Sequence, residues 1–324
     1  MNILVTGAAG FIGSKLCLEL LKNPKIFVYG IDNLDNYYSV KLKKKRLFEL
    51  KKFENFKFFK LDLKDSKKLR KLHQIKKINS IFHFAAQAGV RFAILKPKKY
   101  FDDNMISFFN ILNFAKKNNI KKIFFASSSS VYGDQIRFPV KEKFKLNTKN
   151  FYGFSKKINE LTAKTFSKLF KIQLIGLRFF TVFGEWGRPD MLIFKYIKAN
   201  LNKEKFYLNE NGNHFRDFTY IDDVIKILIK LRTAKLRKNY YIFNICSNKP
   251  KKIIDVINKI NNIYLDFKYT PVYSKNLKKI EVNTTHGDNK EISKFLKKIN
   301  YSNFDDSLKN TIDWYNKNKI NKIT

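Results

Sequence analysis

The stretch "MNILVTGAAGFIGSKL", residues 1–16, carries an apolar run into Gly7, Gly10 and Gly13 and then into a segment of helical period. Ile3, Leu4 and Val5 suit a buried strand, and the apolar positions from Phe11 to about Lys22 suit a helix. Glycines three apart between a strand and a helix serve a tight turn and let backbone approach a bound phosphate. The helix N-terminus then offers its free N–H groups to the anion. A Gly-rich turn alone is weak evidence. Here Asp32 stands nineteen residues past Gly13, at the end of the next strand-like run "IFVYGID". An acid at that place accepts hydrogen bonds from an adenosine ribose and repels a 2′-phosphate, so NAD is expected in preference to NADP. The expected cofactor contacts are Gly7, Gly10, Phe11, Ile12, Gly13, Asp32 and Asn33, followed by Asp62 and Leu63 in "LDLKD". Asp62 is placed to meet the adenine; a helix cap is the alternative reading of the same carboxylate.

Outward from this turn, strand-like runs alternate with helix-length segments. "FKFFKLDL", "SIFHFAA", "KKIFFASSSS" and "IQLIGLRFF" are separated by amphipathic stretches, including a long basic helix after the second strand and another helix after the third. A helix from about Tyr152 to Phe170 precedes the last of these runs. The alternation predicts an α/β fold: a Rossmann-like, doubly wound parallel sheet over residues 1–180. Beyond Val182 the rhythm loosens into loops, a short helix from Asp222 to Leu231 and the strand "YYIFNIC". Residues 181–324 are therefore read mainly as a smaller, mixed α/β substrate-binding lobe, with some segments returning to the sheet domain.

Composition narrows the classes. The 324 residues are 44% hydrophobic, enough for a large core, and nothing reads as disordered. No apolar run approaches the about 20 residues that span a bilayer, and no secretory leader is visible, so no membrane partner is expected. Cys17 and Cys246 lie far apart in apolar patterns, which suits buried thiols in a reduced cytoplasm. The net charge of +39 raises nucleic-acid binding. Only nine of the 66 basic residues are Arg, however, and the lysines are scattered among Asn, Ile and Phe. That pattern fits compositional drift, and no specific nucleic-acid partner is expected. No metal site is expected either.

"FYGFSKK" places Tyr152 and Lys156 four apart, on one face of the start of a helix. A tyrosine titrates near 10 and is a poor base at neutral pH, but a neighbouring ammonium and an oxidised nicotinamide favour its phenolate. About 20 residues earlier, "ASSSSVYG" (Ala126–Gly133) ends a strand in a shelf of hydroxyls, at the sheet edge where such folds bind ligands.

With these motifs the chain resembles the extended short-chain dehydrogenase/reductase family of nucleotide-sugar enzymes over nearly its whole length. The supporting stretches are "GAAGFIGSKL", "HFAAQAGVRFAILKPKKYFDDN", "FFASSSSVYGD", "FYGFSKKINE", "LRFFTVFGEWGRPDM" and "RDFTYIDD". "AAQAGVR" together with "FFTVFGEWGRPDM" is most similar to the UDP-glucuronate 4-epimerase subgroup. The resemblance implies that Ser128, Tyr152 and Lys156 form the catalytic triad. It implies that Phe84, Ala85 and Ala86 line the cofactor, and that Asn104 shapes the central helix beside it. The substrate contacts it implies are Arg91, Ser128, Ser129, Ser130, Thr181, Arg188 and Arg216. Arg188 and Thr181 would meet a uronate carboxylate, and a turn-stabilising salt bridge is the other reading of Arg188. Arg216 and Asp217 would handle the nucleotide diphosphate and order the lobe, with an interdomain salt bridge the other reading of Arg216.

The implied reaction is NAD-dependent 4-epimerisation of a UDP-sugar, UDP-glucuronate to UDP-galacturonate, by a homodimeric cytoplasmic enzyme. Related dehydratases carry Asp-Glu, and related decarboxylases Glu, immediately before Val-Tyr-Gly, where this chain has Ser129 and Ser130. Without those acids, proton transfers beyond C4 are not served. Glu185 stands in "GEWGRP" where the family has proline; pointing inward, it would oppose a carboxylate ligand. The alternatives are a 4-epimerase of a neutral or N-acetylated UDP-sugar and a non-catalytic NAD-binding regulator.

Overall fold

The computed structural model describes residues 1–75, 77–264, 268–272, 279–296 and 299–324. In chain order the first half runs β1 (Asn2–Thr6), α1 (Phe11–Leu21), β2 (Phe27–Asp32), α2 (Val40–Lys51), β3 (Phe56–Lys60), β4 (Ser80–His83), α3 (Ser107–Lys117), β5 (Lys122–Ser128), α4 (Phe151–Phe170) and β6 (Gln173–Phe179). The second half runs β7 (Thr181–Phe183), α5 (Leu192–Leu201), β8 (Tyr207–Asn209), β9 (Phe215–Tyr220), α6 (Ile221–Thr233), β10 (Tyr240–Ile245), β11 (Pro250–Lys252), α7 (Ile253–Tyr264), β12 (Thr270–Val272) and α8 (Phe304–Lys317).

Seven strands form one parallel sheet in the order β10-β6-β5-β4-β1-β2-β3. Successive side chains of each strand face opposite layers. Ile3 and Val5 of β1 pack with α1, α2 and α6, while Leu4 between them packs with α3 and α4. Phe124 and Phe125 of β5 divide the same way. Two apolar layers on one sheet explain why these strands read as unbroken apolar runs.

The chain winds outward from β1 through β2 to β3, then returns to β4 on the other side of β1 and winds out to β6. The reversal between β1 and β4 opens a crevice at the carboxyl ends of both strands, beside Thr6 and His83. β10, which contains the "YYIFNIC" run, pairs with β6 from Tyr240↔Leu174 to Ile245↔Phe179 and so extends the large sheet. A strand's pattern tells that it is buried, not which sheet buries it. Two small sheets, β11-β9-β7 and β12-β8, lie over the crevice side. The helix expected after β3 is a 3-10 helix, Lys68–Gln74, on the α3 side of the sheet. Between β4 and α3 the chain makes two short helical turns and a π-helical segment, Phe101–Ile106. Cys17 and Cys246 are buried free thiols.

Candidate active site

The crevice continues into a cleft of ≈ 1340 Å³ between the sheet and the small sheets. One end is the glycine turn. Gly7 has φ +73°, a left-handed conformation that disfavours side chains, and a Cβ there would come within 2.7 Å of Ala85 N. A Cβ on Gly13 would lie 2.1 Å from Gly7 O, so the helix can sit this close to the turn only with glycine. Gly10 caps α1 without any side-chain hydrogen bond, and no acid stands in the helix's first turn. The first N–H groups of α1 are thus presented to the cleft with their partial positive charge, beside Phe11, Ile12 and Gly13. Asp32 accepts from Ala9 N at 3.1 Å and Leu34 N at 2.8 Å, and burial raises its pKa against the pull of those bonds and of Lys43. Asn33, Asp62 and Leu63 follow along the wall. Asp62 accepts from Lys64 N at 3.0 Å and from Asn33 Nδ2 at 3.5 Å. A pyrophosphate at the open helix end with a ribose at Asp32 fits this cradle, which is the fit that NAD requires.

Phe84, Ala85 and Ala86, at the end of β4, form the floor. Asn104 is not in the cleft wall: it is buried and holds the chain on either side of it. Gln87 N donates to its Oδ1 at 2.7 Å, and its Nδ2 donates to Gln87 O at 3.0 Å and Ser155 Oγ at 2.9 Å. It therefore ties the β4 loop, which lines the cleft, to α4.

Ser128, Tyr152 and Lys156 meet in the middle of the cleft. Asn150 caps α4, its Oδ1 accepting from Gly153 N at 2.8 Å. A Cβ on Gly153 would lie 2.4 Å from Ser130 O, so α4 rests directly on the hydroxyl shelf and Tyr152 reaches Ser128. The Tyr152 hydroxyl lies beside Ser128; burial raises its pKa, opposed by the influence of the Ser128 hydroxyl and of the Arg188 charge. Lys156 Nζ donates to Ala126 O at 3.0 Å and lies 5.9 Å from the Tyr152 ring centre. Burial lowers its pKa to about 7. In the protein alone both groups favour their neutral forms, and an adjacent ion pair would favour the charged ones. Beneath them Ser127 Oγ donates to Glu160 at 2.5 Å, and Arg178 clasps the same carboxylate at 2.9 and 2.7 Å. This buried pair fixes the shelf from below, so Arg178 serves structure.

The remaining expected residues, Arg91, Ser129, Ser130, Thr181, Arg188 and Arg216, also line the cleft. Arg91 Nε donates to Glu281 at 2.6 Å, and Arg216 Nη1 donates to Phe215 O at 2.8 Å and Asn283 O at 3.0 Å. Burial lowers the Arg216 pKa to about 10. Arg188 is forked onto Asp190, Nε to Oδ1 at 3.0 Å and Nη2 to Oδ2, and Tyr37 Oη donates to Asp190 Oδ2 at 3.1 Å. Burial opposes its charge and Asp190 more than restores it, so its pKa is raised. Glu185 turns away from the cleft and accepts from Tyr220 Oη at 2.6 Å. Asp217 is fully buried, accepting from Ser247 N, Ser247 Oγ, Asn248 N and Gly287 N, and ties three segments of the lobe together. Tyr37, Asp190 and Glu281 were not singled out from the sequence. Tyr37 and Glu281 carry no local signal, because each meets its partner far along the chain, whereas Asp190 stands two residues from Arg188 and that spacing was the available signal.

A dinucleotide turn, a tyrosine–lysine pair on one helix and a hydroxyl at its strand end together define an enzyme of the short-chain dehydrogenase/reductase type. More narrowly, the chain belongs to the NAD dependent epimerase/dehydratase family, whose model matches residues 3–246. It is 37% identical over 320 residues to a UDP-glucuronate 4-epimerase of Thermodesulfobacterium geofontis, covering 97% of this chain and 96% of that protein. Among solved structures it is similar to the UDP-glucuronic acid 4-epimerase of Bacillus cereus in complex with UDP-glucuronic acid and NAD. The TM-score is 0.90 at 31% identity, over 98% of this chain and 99% of the other. It is also similar to a UDP-N-acetylglucosamine 4-epimerase of Methanobrevibacter ruminantium M1, with TM-score 0.85 at 27% identity over 98% of each chain. The cofactor is NAD, as the cradle and these relatives agree. No group of His, Cys, Asp or Glu that could hold a metal is found among the described residues.

Proposed function

We propose that this chain is a UDP-sugar 4-epimerase that interconverts UDP-glucuronate and UDP-galacturonate. The carrying observation is the middle of the cleft. Tyr152, Ser128 and Lys156 converge there, and the two positions beside them are Ser129 and Ser130, without a carboxylate. Bound NAD supplies the acceptor, and later the donor, for the hydride at sugar C4. Tyr152 takes the 4-OH proton and returns it; Ser128 holds the same oxygen; Lys156 favours the phenolate once it carries its proton. The oxidised sugar is a 4-keto compound that must present its other face before reduction. With a uronate it is also a β-keto acid, which loses carbon dioxide when the C5–C6 bond aligns with the carbonyl π system. Arg188, Thr181 and the shelf hydroxyls are the groups we assign to holding the carboxylate out of that alignment. Arg91 and Arg216, across the cleft, are assigned to the diphosphate, and Asp32, Asp62 and the glycine turn to the cofactor.

The related UDP-N-acetylglucosamine epimerase marks the competing substrate class. Incubation with UDP-glucuronate and no added reductant, followed by NMR, separates the two. UDP-galacturonate should appear while free NADH does not accumulate. UDP-xylose, or inertness with rapid conversion of UDP-glucose, would overturn the assignment.

We also infer that two copies pair through α3 and α4. Phe109 on α3 and Phe154, Leu161 and Leu169 on α4 are exposed, the last three at spacings of seven and eight that keep them on one helix face. Phe101 and Ile106, just before α3, add to the patch. A cytoplasmic setting is in keeping with the two free thiols. No helix among the described residues is long and apolar enough to cross a membrane.

A further inference from the structure

We infer that Arg46 is a positioning residue that joins the nucleotide-binding turn to the loop bearing Arg188, so that one buried guanidinium sets the cofactor cradle and the Arg188 loop together. The inference rests on the proposed reading of Arg188 as a substrate contact. Arg46 lies on α2 and is 2% exposed. Its Nη1 donates to Ala9 O at 2.9 Å and to Tyr38 Oη at 2.8 Å. Its Nη2 donates to Trp186 O at 2.6 Å and Gly187 O at 3.1 Å. Nε is buried and has no partner. No carboxylate forms an ion pair with Arg46 among the described residues. A buried charge with one donor unmet is costly, and a lone structural tie would be made more cheaply by a neutral side chain. Only the planar fork reaches four acceptors on three segments.

Each segment is one that the site depends on. Ala9 stands between Gly7 and Gly10, and both peptide groups flanking its Cα are held: Asp32 takes the N–H and Arg46 the carbonyl. Gly184 and Trp186 have φ of +138° and +62°, so the loop before Arg188 is bent in a way that a tryptophan disfavours. The two carbonyls that this bend turns out, Trp186 and Gly187, are the ones that Arg46 receives. The adjacent tyrosines divide the work: Tyr38 bonds Arg46, and Tyr37 bonds Asp190, the partner of Arg188. Loss of the fork frees the turn and the loop together.

The test uses the full chain with R46M, R46K, R188A and R46M/R188A. Calorimetric titration with NAD alone should show R46M binding about tenfold more weakly than wild type. At saturating NAD, R46M should raise the KM for UDP-glucuronate about tenfold with a smaller change in kcat, whereas a general loosening of the fold would lower the active fraction and leave KM in place. If Arg46 acts through the Arg188 loop, the double variant should have the KM of R188A within about twofold, because the two act on one contact. R46K keeps the charge without the fork and should show the same split at smaller size, which covers the case in which R46M does not fold. Unchanged NAD affinity in both Arg46 variants overturns the inference, as do effects of R46M and R188A on KM that multiply. The NAD titration needs no turnover. A wild-type protein inert to UDP-glucuronate therefore sinks the proposed function while the titration still judges Arg46.

Discussion

Lys156 shows what the site costs the protein that carries it. Burial brings its pKa from 10.5 to about 7, so between those values the unfolded chain binds more protons than the folded one. Stability therefore rises with pH across that window. Below about 7 both states are protonated and the cost is full; above the unfolded value it is gone. Replacing Lys156 with Met keeps the length of the side chain and removes the charge. In protein freed of nucleotide, Lys156→Met should be more stable at pH 7 by on the order of 3 kcal/mol. The gain should shrink as the pH approaches that of the unfolded amine, and turnover should be lost throughout. Urea denaturation at neutral and alkaline pH measures it. A variant less stable at pH 7, or a gain independent of pH, would contradict the burial cost. Stability and chemistry pull against each other at this one position.

At the scale of elements, the meeting of α4 with the strand end of β5 makes the site, and it hangs on Gly153. In a free helix, Gly→Ala is stabilising by about 1 kcal/mol. Here the added Cβ would lie 2.4 Å from the Ser130 carbonyl, a backbone atom that cannot swing aside. Gly153→Ala should instead destabilise by about 1–3 kcal/mol and lift Tyr152 off Ser128. A fall in kcat of at least about tenfold with NAD still bound should accompany the change; a stabilised, fully active variant would show that the contact is not tight. Local sequence could not reveal this constraint, since Gly153 is one glycine in an otherwise ordinary helix start. What was legible was periodic or adjacent: the two-sided strands, the turn of Gly7 to Gly13, Asp32 at a strand end, and Tyr152 with Lys156 on one face. The sheet membership of β10 and the 3-10 form of Lys68–Gln74 were not, because both follow from neighbours distant in the chain. The same holds for Asp190 across from Tyr37, for Asn104 turned away from the cleft, and for the outward course of Glu185. The four-serine shelf was legible through what it lacks, an acid.

For the whole molecule, two forces of opposite sign act on the proposed pairing. The apolar residues on α3 and α4 lose water when two copies meet, which favours association by about 25 cal/mol per Å² removed. Each copy also carries a net charge of +39, and like charges at this density repel. The repulsion is long-ranged and screened by salt, with a Debye length near 10 Å at 0.1 M and about 3 Å at 1 M, whereas the apolar contact is short-ranged and is not weakened by salt. Pairing should therefore tighten as salt is added, opposite to an interface built on ion pairs. Sedimentation velocity at about 0.05 M and about 0.5 M salt reads this directly. The dimer fraction should rise with salt in the wild-type chain, and Phe154→Glu with Leu161→Glu should leave a monomer at both. A dimer that dissolves as salt rises would place the interface elsewhere, on oppositely charged surfaces. A wild-type chain monomeric at every concentration would remove the pairing. Because α4 carries Tyr152 at its start and the apolar face along its length, the double variant also asks whether pairing steadies the catalytic helix. If it does, the monomer should lose kcat while binding NAD as before, since the glycine turn lies at the other side of the sheet's crossing point.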